Sequence, residues 1–74
     1  MDFTLPESGP VHLAIYDSQG RLVRTLINQT LPAGTYQRNW DARINSGAGA
    51  AAGIYYLRLQ AGGAERKASL LLLR

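Results

Sequence analysis

The chain has 74 residues, no cysteine and a formal net charge of +3. This length suffices for a single domain, residues 1–74, and the missing cysteines exclude a disulfide framework and a thiolate zinc site. The eight basic residues are scattered, with only Arg66 and Lys67 adjacent, which disfavours a nucleic-acid surface because such surfaces cluster basic residues or interleave them with aromatics. The longest apolar run, residues 70–73, is far shorter than the roughly 20 residues of a membrane helix.

The first part of the chain alternates apolar and polar residues, which is typical of half-buried strands. Residues 3–5 predict a short first strand. Residues 11–17 predict a second strand in which Val11, Leu13 and Ile15 share one face. We expect that face to contribute to the core.

A tight turn is predicted at residues 17–20. Asp17 at its start is suited to accept backbone N–H groups, and Gly20 at its end tolerates a positive φ. Residues 21–29 are ambiguous, because their apolar positions also suit one face of a short helix. The turn before them favours a strand, with a bulge that directs both Val23 and Leu26 inward.

A proline and a glycine define the next turn, residues 31–34, in which Gly34 permits a left-handed conformation. Residues 35–41 alternate again and predict a strand. Its inner side would carry Tyr36 and Trp40.

Small residues dominate a loop that runs from residue 43 to Gly53, where Gly53 allows a tight entry into the next strand. The glycines of this loop superficially match a dinucleotide-binding fingerprint, but that motif needs a strand before it and a helix after it. Here a strand follows, because residues 54–60 alternate and place Tyr55, Leu57 and Leu59 inward.

The last part of the sequence predicts a hairpin. Gly62-Gly63 suits a two-residue type I′ turn, which needs a positive φ at both positions. Residues 64–73 then predict a final strand that ends in a continuous apolar run. Such a run suits a strand covered on both faces, or one that contacts another protein. Together the elements predict an all-β domain of two packed antiparallel sheets.

The aromatic residues allow two interpretations. Exposed together, they would form a platform for sugar binding. The alternation instead places Tyr36, Trp40 and Tyr55 in the core and only Tyr56 outside. We expect the second arrangement.

No combination of residues predicts catalysis or a cofactor. The single histidine, His12, lies roughly 17 Å along an extended strand from Asp17, too far for a hydrolytic pair, and we expect it to face solvent. Asp41 and Asn45 lack the further carboxylates of a calcium site, so Asp41 is expected to accept hydrogen bonds from its own loop. None of the five carboxylates forms a pair placed for acid–base work. We predict a domain that is not an enzyme and that has neither cofactor nor metal.

Several short motifs follow one another at regular spacings over nearly the whole chain. In chain order they are Phe3-Thr4-Leu5-Pro6, Val11-x-Leu13-x-Ile15-Tyr16-Asp17-x-x-Gly20-Arg21-x-Val23-x-x-Leu26, Pro32-Ala33-Gly34-x-Tyr36-x-x-x-Trp40-Asp41, Gly53-Ile54-Tyr55-Tyr56-x-Arg58-Leu59 and Lys67-x-x-x-Leu71-Leu72. In order and spacing this succession resembles the C-terminal sorting domain of type IX secretion cargo. It is also similar to the related immunoglobulin-like domain of the flagellar hook-cap protein.

The resemblance implies an immunoglobulin-like sandwich of about seven antiparallel strands, the C-terminal module of a longer secreted protein. Such a domain directs attached cargo through the periplasm and across the outer membrane, to the cell surface or the medium. Its partners would be the secretion translocon and a sortase-like peptidase, besides the covalently attached cargo. The resemblance places partner recognition on Lys67, Leu70, Leu71, Leu72, Leu73 and Arg74, and the fold-defining positions at Gly20, Gly34, Tyr36, Trp40, Asp41, Gly53 and Tyr55.

Two departures separate this sequence from the hook-cap relatives, which usually read Trp-Asp-Gly followed by another Asp. Here Ala42 and Ile44 interrupt that pattern, and the sequence has a lysine-plus-leucine tail that those relatives lack. Both points favour the sorting domain. The alternative is a structural or self-assembling immunoglobulin-like module, which packs against a neighbouring domain or associates through its edge strands.

Overall fold

The computed structural model describes residues 2–73. Its strands are β1 (Asp2–Leu5), β2 (Gly9–Asp17), β3 (Leu22–Leu31), β4 (Gly34–Gln37), β5 (Gly53–Ala61) and β6 (Ala64–Leu72). The described residues form no helix, and hence none that is long and apolar enough to cross a membrane. The predicted all-β class is confirmed.

All strand pairings are antiparallel, and they divide the strands between two sheets. The larger sheet has the order β3-β2-β5-β6, and the smaller sheet pairs β1 with β4. The strands β2 and β5 meet in the middle of the larger sheet, although β3, β4 and a long loop separate them in sequence. As a result, β3 lies at one edge of the larger sheet and β6 at the other.

The two sheets share a core to which the inward-facing residues of the alternating strands contribute. The first core cluster contains Phe3, Leu5, Val11, Leu13, Ile27, Leu31 and Leu59. Because Phe3 and Leu5 belong to β1 and the others to the larger sheet, this cluster fastens the smaller sheet onto one half of the larger sheet's inner face. Each buried side chain of this size contributes about 1.5–3 kcal/mol.

The loop after β4 covers the other half of that face. Ala50, which is only 2% exposed, forms a second core cluster with Ile15 and Tyr55. Trp40 and Ile44 of the same loop pack against this cluster. The Trp40 and Tyr55 rings meet edge to face, with their centroids 5.0 Å apart. A loop rich in small residues, rather than a strand, therefore covers this half of the core.

The strand β3 is irregular in the way that the sequence predicts. Its register with β2 shifts at two points, and the residues left over on β3 are Val23 and Leu26. Val23 packs against the second core cluster and Leu26 against both clusters. The bulged strand is confirmed, and the helical alternative is wrong.

Two of the three predicted turns have the geometry that their residues suggest. The Asp17 carboxylate oxygen Oδ1 accepts the backbone N–H groups of Gln19 and Arg21, both at 2.9 Å, and Gly20 has a φ of 81°. Gly62 and Gly63 have φ values of 57° and 77°, as a type I′ turn requires.

Three expectations differ from the structure. About seven strands were expected, whereas the described residues form six. The strand expected over residues 35–41 ends at Gln37, and its Trp40 reaches the core from a loop. Asn39 and Asp41 belong to residue types that are depleted in strands, and the one bridge of this loop joins Arg43 to Gly49. Of the two alternatives given for the final apolar run, coverage on both faces is wrong, because the Leu71 side chain on the outer face of β6 is 62% exposed.

Candidate interaction surface

The strand β6 forms a free edge of the larger sheet. Within residues 2–73 it pairs with β5 alone. The two-residue turn makes Ala61 and Ala64 a hydrogen-bonded pair, so every second residue from Ala64 onward bonds to β5. The alternate residues direct their backbone N–H and C=O groups to the free edge; they are Glu65, Lys67, Ser69 and Leu71.

The second half of β6 is apolar. Leu70 and Leu72 lie on the inner face, half-buried against the second core cluster. Leu71 lies on the outer face and is 62% exposed, and Leu73, just beyond the strand, is 76% exposed. The leucines predicted as recognition residues therefore lie together at one end of the edge. Arg74 lies outside the residues that the structure describes.

The first half of β6 is charged. The Glu65 carboxylate accepts a hydrogen bond from Arg58 of β5 at 3.1 Å and lies 3.3 Å from the Lys67 ammonium. The Arg58 hydrogen bond lowers the pKa of Glu65, and the same contact raises the pKa of Arg58. Arg66 lies on the inner face opposite Leu59 and takes part in none of the ion pairs of the described residues.

Apolar side chains also cross the outer face of the larger sheet, near the leucine end of β6. Leu22 of β3 pairs with Tyr16 of β2, Tyr16 with Tyr56 of β5, and Ile54 of β5 with Leu71. Directly paired residues share a face, so these five side chains form one surface, which we call the outer apolar patch. Leu22, Ile54, Tyr56 and Leu71 are 45% to 62% exposed.

The opposite edge of the larger sheet is partly closed. The Asn45 backbone N–H donates to the Val23 carbonyl at 3.0 Å, and the Asn45 side-chain oxygen accepts the Thr25 N–H at 3.0 Å. Arg24 donates to the Ile44 carbonyl at 3.1 Å. The loop thus occupies the edge of β3 much as a strand would. Alternation along the sequence misses this contact, because the paired residues are about 20 positions apart.

Two tyrosines brace the starts of β4 and β5. The Tyr36 hydroxyl donates to the Pro32 carbonyl and the Tyr55 hydroxyl to the Ala51 carbonyl, four residues upstream in each case. A hydroxyl that bonds the backbone a few residues upstream is a feature of immunoglobulin-like sandwiches, where it is called a tyrosine corner. Both tyrosines, predicted as fold-defining, therefore act through their hydroxyl groups as well as their rings.

A repeated motif in the sequence marks these two corners. Ala-Gly-x-Tyr occurs at residues 33–36 and again at residues 52–55. Its glycines, Gly34 and Gly53, open β4 and β5 with φ values of 154° and 153°. The repeat was missed because it spans only four residues and does not disturb the alternation of the strands.

Asp41 and His12 are the remaining residues that the sequence analysis considered for a site. Asp41 accepts the backbone N–H of Arg43 at 3.1 Å, as predicted. His12 is half-buried on the central strand β2, and its Nδ1 is buried without a hydrogen-bond partner in the described part of the chain. It pairs with the exposed Asn28 and Gln60 on the outer face of the larger sheet, the face expected of a solvent-facing histidine, although it is half-buried there. Residues 2–73 contain no cluster of side chains suited to hold a metal ion.

The two-sheet fold and its tyrosine corners agree with a comparison of the whole chain with known families. The model of the FlgD Ig-like domain matches residues 1–65. The chain belongs to this family. No curated protein and no solved structure matches the chain. The FlgD Ig-like match bears out the predicted relation to the immunoglobulin-like domain of the flagellar hook-cap protein.

The match to the FlgD Ig-like domain ends at Glu65, near the start of β6. Lys67 and the leucines of residues 70–73 therefore lie outside the matched part of the chain. The comparison supports the immunoglobulin-like relation and gives no support to the finer resemblance to type IX sorting domains.

Proposed function

We propose that this domain is a non-catalytic structural module that links the polypeptide carrying it to another protein through the edge of β6. Membership of the FlgD Ig-like family supports a structural role. The observation that carries the proposal is the free edge itself, which has one side without a partner strand among residues 2–73 and ends in exposed leucines. Such an edge is a template onto which a further strand adds by backbone hydrogen bonding.

Three of the five carboxylates hold parts of the fold together, which supports a structural role. Asp17 fixes the turn between β2 and β3, and Asp41 accepts a bond within its own loop. Glu65 joins β5 to β6 through Arg58. The hydrogen bonds that Asp17 and Glu65 accept lower the pKa of both carboxyls, which suits these two groups poorly to deliver a proton.

The type IX sorting function is the second candidate. It would use Lys67 and the leucines of residues 70–73, with a translocon and a sortase-like peptidase as partners. The observation in its favour is that these leucines lie together at the exposed end of β6. The family match favours the structural module, which we therefore place first.

Photocrosslinking at single sites tests the structural module. In the full polypeptide that carries the domain, expressed in its native cells, a photoreactive side chain replaces Lys67 or Ser69 on β6. The matched control is Asn28, an exposed position on β3. We expect crosslinks to a defined polypeptide from the β6 positions and none from β3. Equal yields from the two edges, or no crosslink from β6, would overturn the proposal.

Deleting residues 70–73 separates the two candidate functions. A structural module that loses these leucines should reach its usual location and lose the crosslinked partner, with some loss of stability because Leu70 and Leu72 pack against the second core cluster. A sorting domain that loses them should leave the attached cargo in the periplasm. Cell fractionation of the deletion variant and the intact protein reads out the difference.

A further inference from the structure

We infer that the partner of β6 is an extended segment of a different protein, antiparallel to β6, apolar in its first half and acidic in its second. This inference rests on the proposed function and names the chemistry of the partner at the same edge. It starts from the uneven composition of β6. Glu65, Arg66 and Lys67 lie in its first half, and the leucines of residues 70–72 end it.

A second copy of this chain fits the edge poorly. Two identical antiparallel strands pair symmetrically about one residue. Full overlap of β6 with itself centres on Ala68 and sets Arg66 against Leu70 and Glu65 against Leu71. Such pairs place charged side chains beside leucines without an opposite charge.

Other self-pairing registers shorten the interface. A centre at Leu71 pairs leucines with leucines, but it overlaps only residues 70–72 of each β6. Three paired residues fall far below the roughly 1,000 Å² that a stable interface buries. Two copies also bring together two domains of net charge +3, which repel each other.

A different protein matches the charged half better than a second copy does. Arg66 has no ion pair among the described residues, and the Lys67 side chain is 71% exposed. Glu65 is already engaged by Arg58 at 3.1 Å and by Lys67 at 3.3 Å. The cations of Arg58, Arg66 and Lys67 outnumber the single Glu65 carboxylate, so this part of the edge is positive. Acidic side chains on the added strand therefore gain cross-strand attraction, and basic ones are repelled.

The apolar half determines the other end of the partner. Leu71 directs its backbone groups to the free edge, while its side chain is 62% exposed beside Ile54 in the outer apolar patch. An apolar residue opposite Leu71 would cover it. Apolar residues opposite Leu70 and Leu72 would extend the second core cluster, against which both leucines already pack. The pairings within the fold are antiparallel, and a partner that continues this pattern begins opposite the leucines and ends opposite Lys67 and Arg66.

Synthetic peptides test this partner on the whole 74-residue chain. The first peptide alternates valine and threonine and then ends in aspartates and glutamates. The second has lysines in place of the acidic residues, and the third has the first peptide's composition in reverse order. We expect the first to bind at least about fivefold more tightly than either of the others at low salt, with a smaller advantage over the lysine peptide at high salt.

Hydrogen exchange locates the bound peptide. We expect new protection at the backbone amides of Lys67, Ser69 and Leu71, and none along β3. Ser69→Pro removes a donor from the free edge without removing a bond to β5, so it should abolish that protection. If this variant fails to fold, Leu71→Lys serves instead, because it places a charge where the apolar half of the peptide docks.

The outcomes separate the partner from the function. Equal affinity of the acidic and lysine peptides would overturn the inferred chemistry, while β6 crosslinks in cells would leave the structural module intact. Absence of β6 crosslinks in cells would instead overturn the proposed function. Protection of Lys67 and Leu71 without peptide, together with a doubled mass by light scattering, would make a second copy the occupant and overturn the inference.

Discussion

The two edges of the larger sheet are closed to different degrees. At one edge, β3 has two bulges, and the backbone groups of Val23 and Thr25 form hydrogen bonds with Asn45. At the other, β6 pairs regularly with β5 from Ala64 to Leu72 and has no strand on its far side within the described residues. Bulges, covering loops and charges all protect sheet edges. The edge of β3 uses the first two. The edge of β6 has only charges, and only in its first half, so its second half is available to pair with another strand.

The largest expected difference between the edges lies in their leucines. Leu31 of β3 is 7% exposed in the first core cluster, whereas Leu71 of β6 is 62% exposed. Leu31→Ala should lower the free energy of unfolding by about 2–4 kcal/mol, because it leaves a cavity between the sheets. Leu71→Ala should change it by less than about 0.5 kcal/mol. Urea unfolding of both variants makes the measurement, and similar losses would contradict the asymmetry.

Removing the Asn45 contact should make the two edges more alike. Asn45→Ala deprives the Thr25 N–H of its acceptor and should lower the free energy of unfolding by about 0.5–1.5 kcal/mol. It should also expose the edge of β3 and increase association at high protein concentration. Asn28→Ala, an exposed asparagine on the same strand, is the control. Urea unfolding and light scattering report the two effects, and a variant that behaves like Asn28→Ala would show that the loop does not protect β3.

The features that the sequence predicts correctly depend on neighbouring residues. The turn at Asp17, the type I′ turn at Gly62-Gly63 and the inward bulges at Val23 and Leu26 all follow from local geometry. Alternation also separates the buried Tyr55 from the exposed Tyr56. These are signals that a window of a few residues contains.

The features that it misses depend on residues far apart in the chain. Ala50 lies in a run of small residues that resembles any surface loop, yet it is 2% exposed in the core. Asn45 closes an edge because the loop folds back onto β3. For the candidate surface, the sequence predicts the leucines and, through the Gly62-Gly63 turn, the register of β6 on β5. The position of β6 at an edge of the larger sheet follows only from the strand order, which pairs residues far apart in the chain. Packing and strand order, rather than local preference, decide these points.

The turn next to the closed edge should make stability depend on pH. The Arg21 backbone hydrogen bond lowers the pKa of Asp17 from its ordinary value of 3.8. The folded pKa lies below the unfolded one, so the unfolded chain binds more protons as the pH falls through this window. The contribution of Asp17 is therefore present well above the unfolded pKa of about 3.8 and is lost as the pH falls through the folded pKa.

Replacing Asp17 checks this dependence. Asp17→Asn should flatten the fall in the urea midpoint as the pH is lowered below about 5. Ser18→Ala, in the same turn but without a titrating group, should keep the slope of the unaltered chain. An Asp17→Asn variant with the original slope would show that other carboxylates account for the acid sensitivity.

The smallest effect concerns the charged half of the open edge. Glu65 accepts a hydrogen bond from Arg58, which lowers the pKa of the carboxyl and keeps it ionised at neutral pH, so that it offsets part of the positive charge near Lys67. Glu65→Gln removes that charge and should tighten binding of the acidic peptide by about twofold to threefold at low salt, with little effect at high salt.

The control for this change is Glu7→Gln, a carboxylate in the turn between β1 and β2. This substitution alters the net charge by the same amount but lies outside β6, so it should leave the affinity of the acidic peptide unchanged. If both variants tighten binding equally, the attraction comes from the charge of the whole domain. A response from Glu65→Gln alone assigns it to the edge of β6, where charged side chains and free backbone groups coincide.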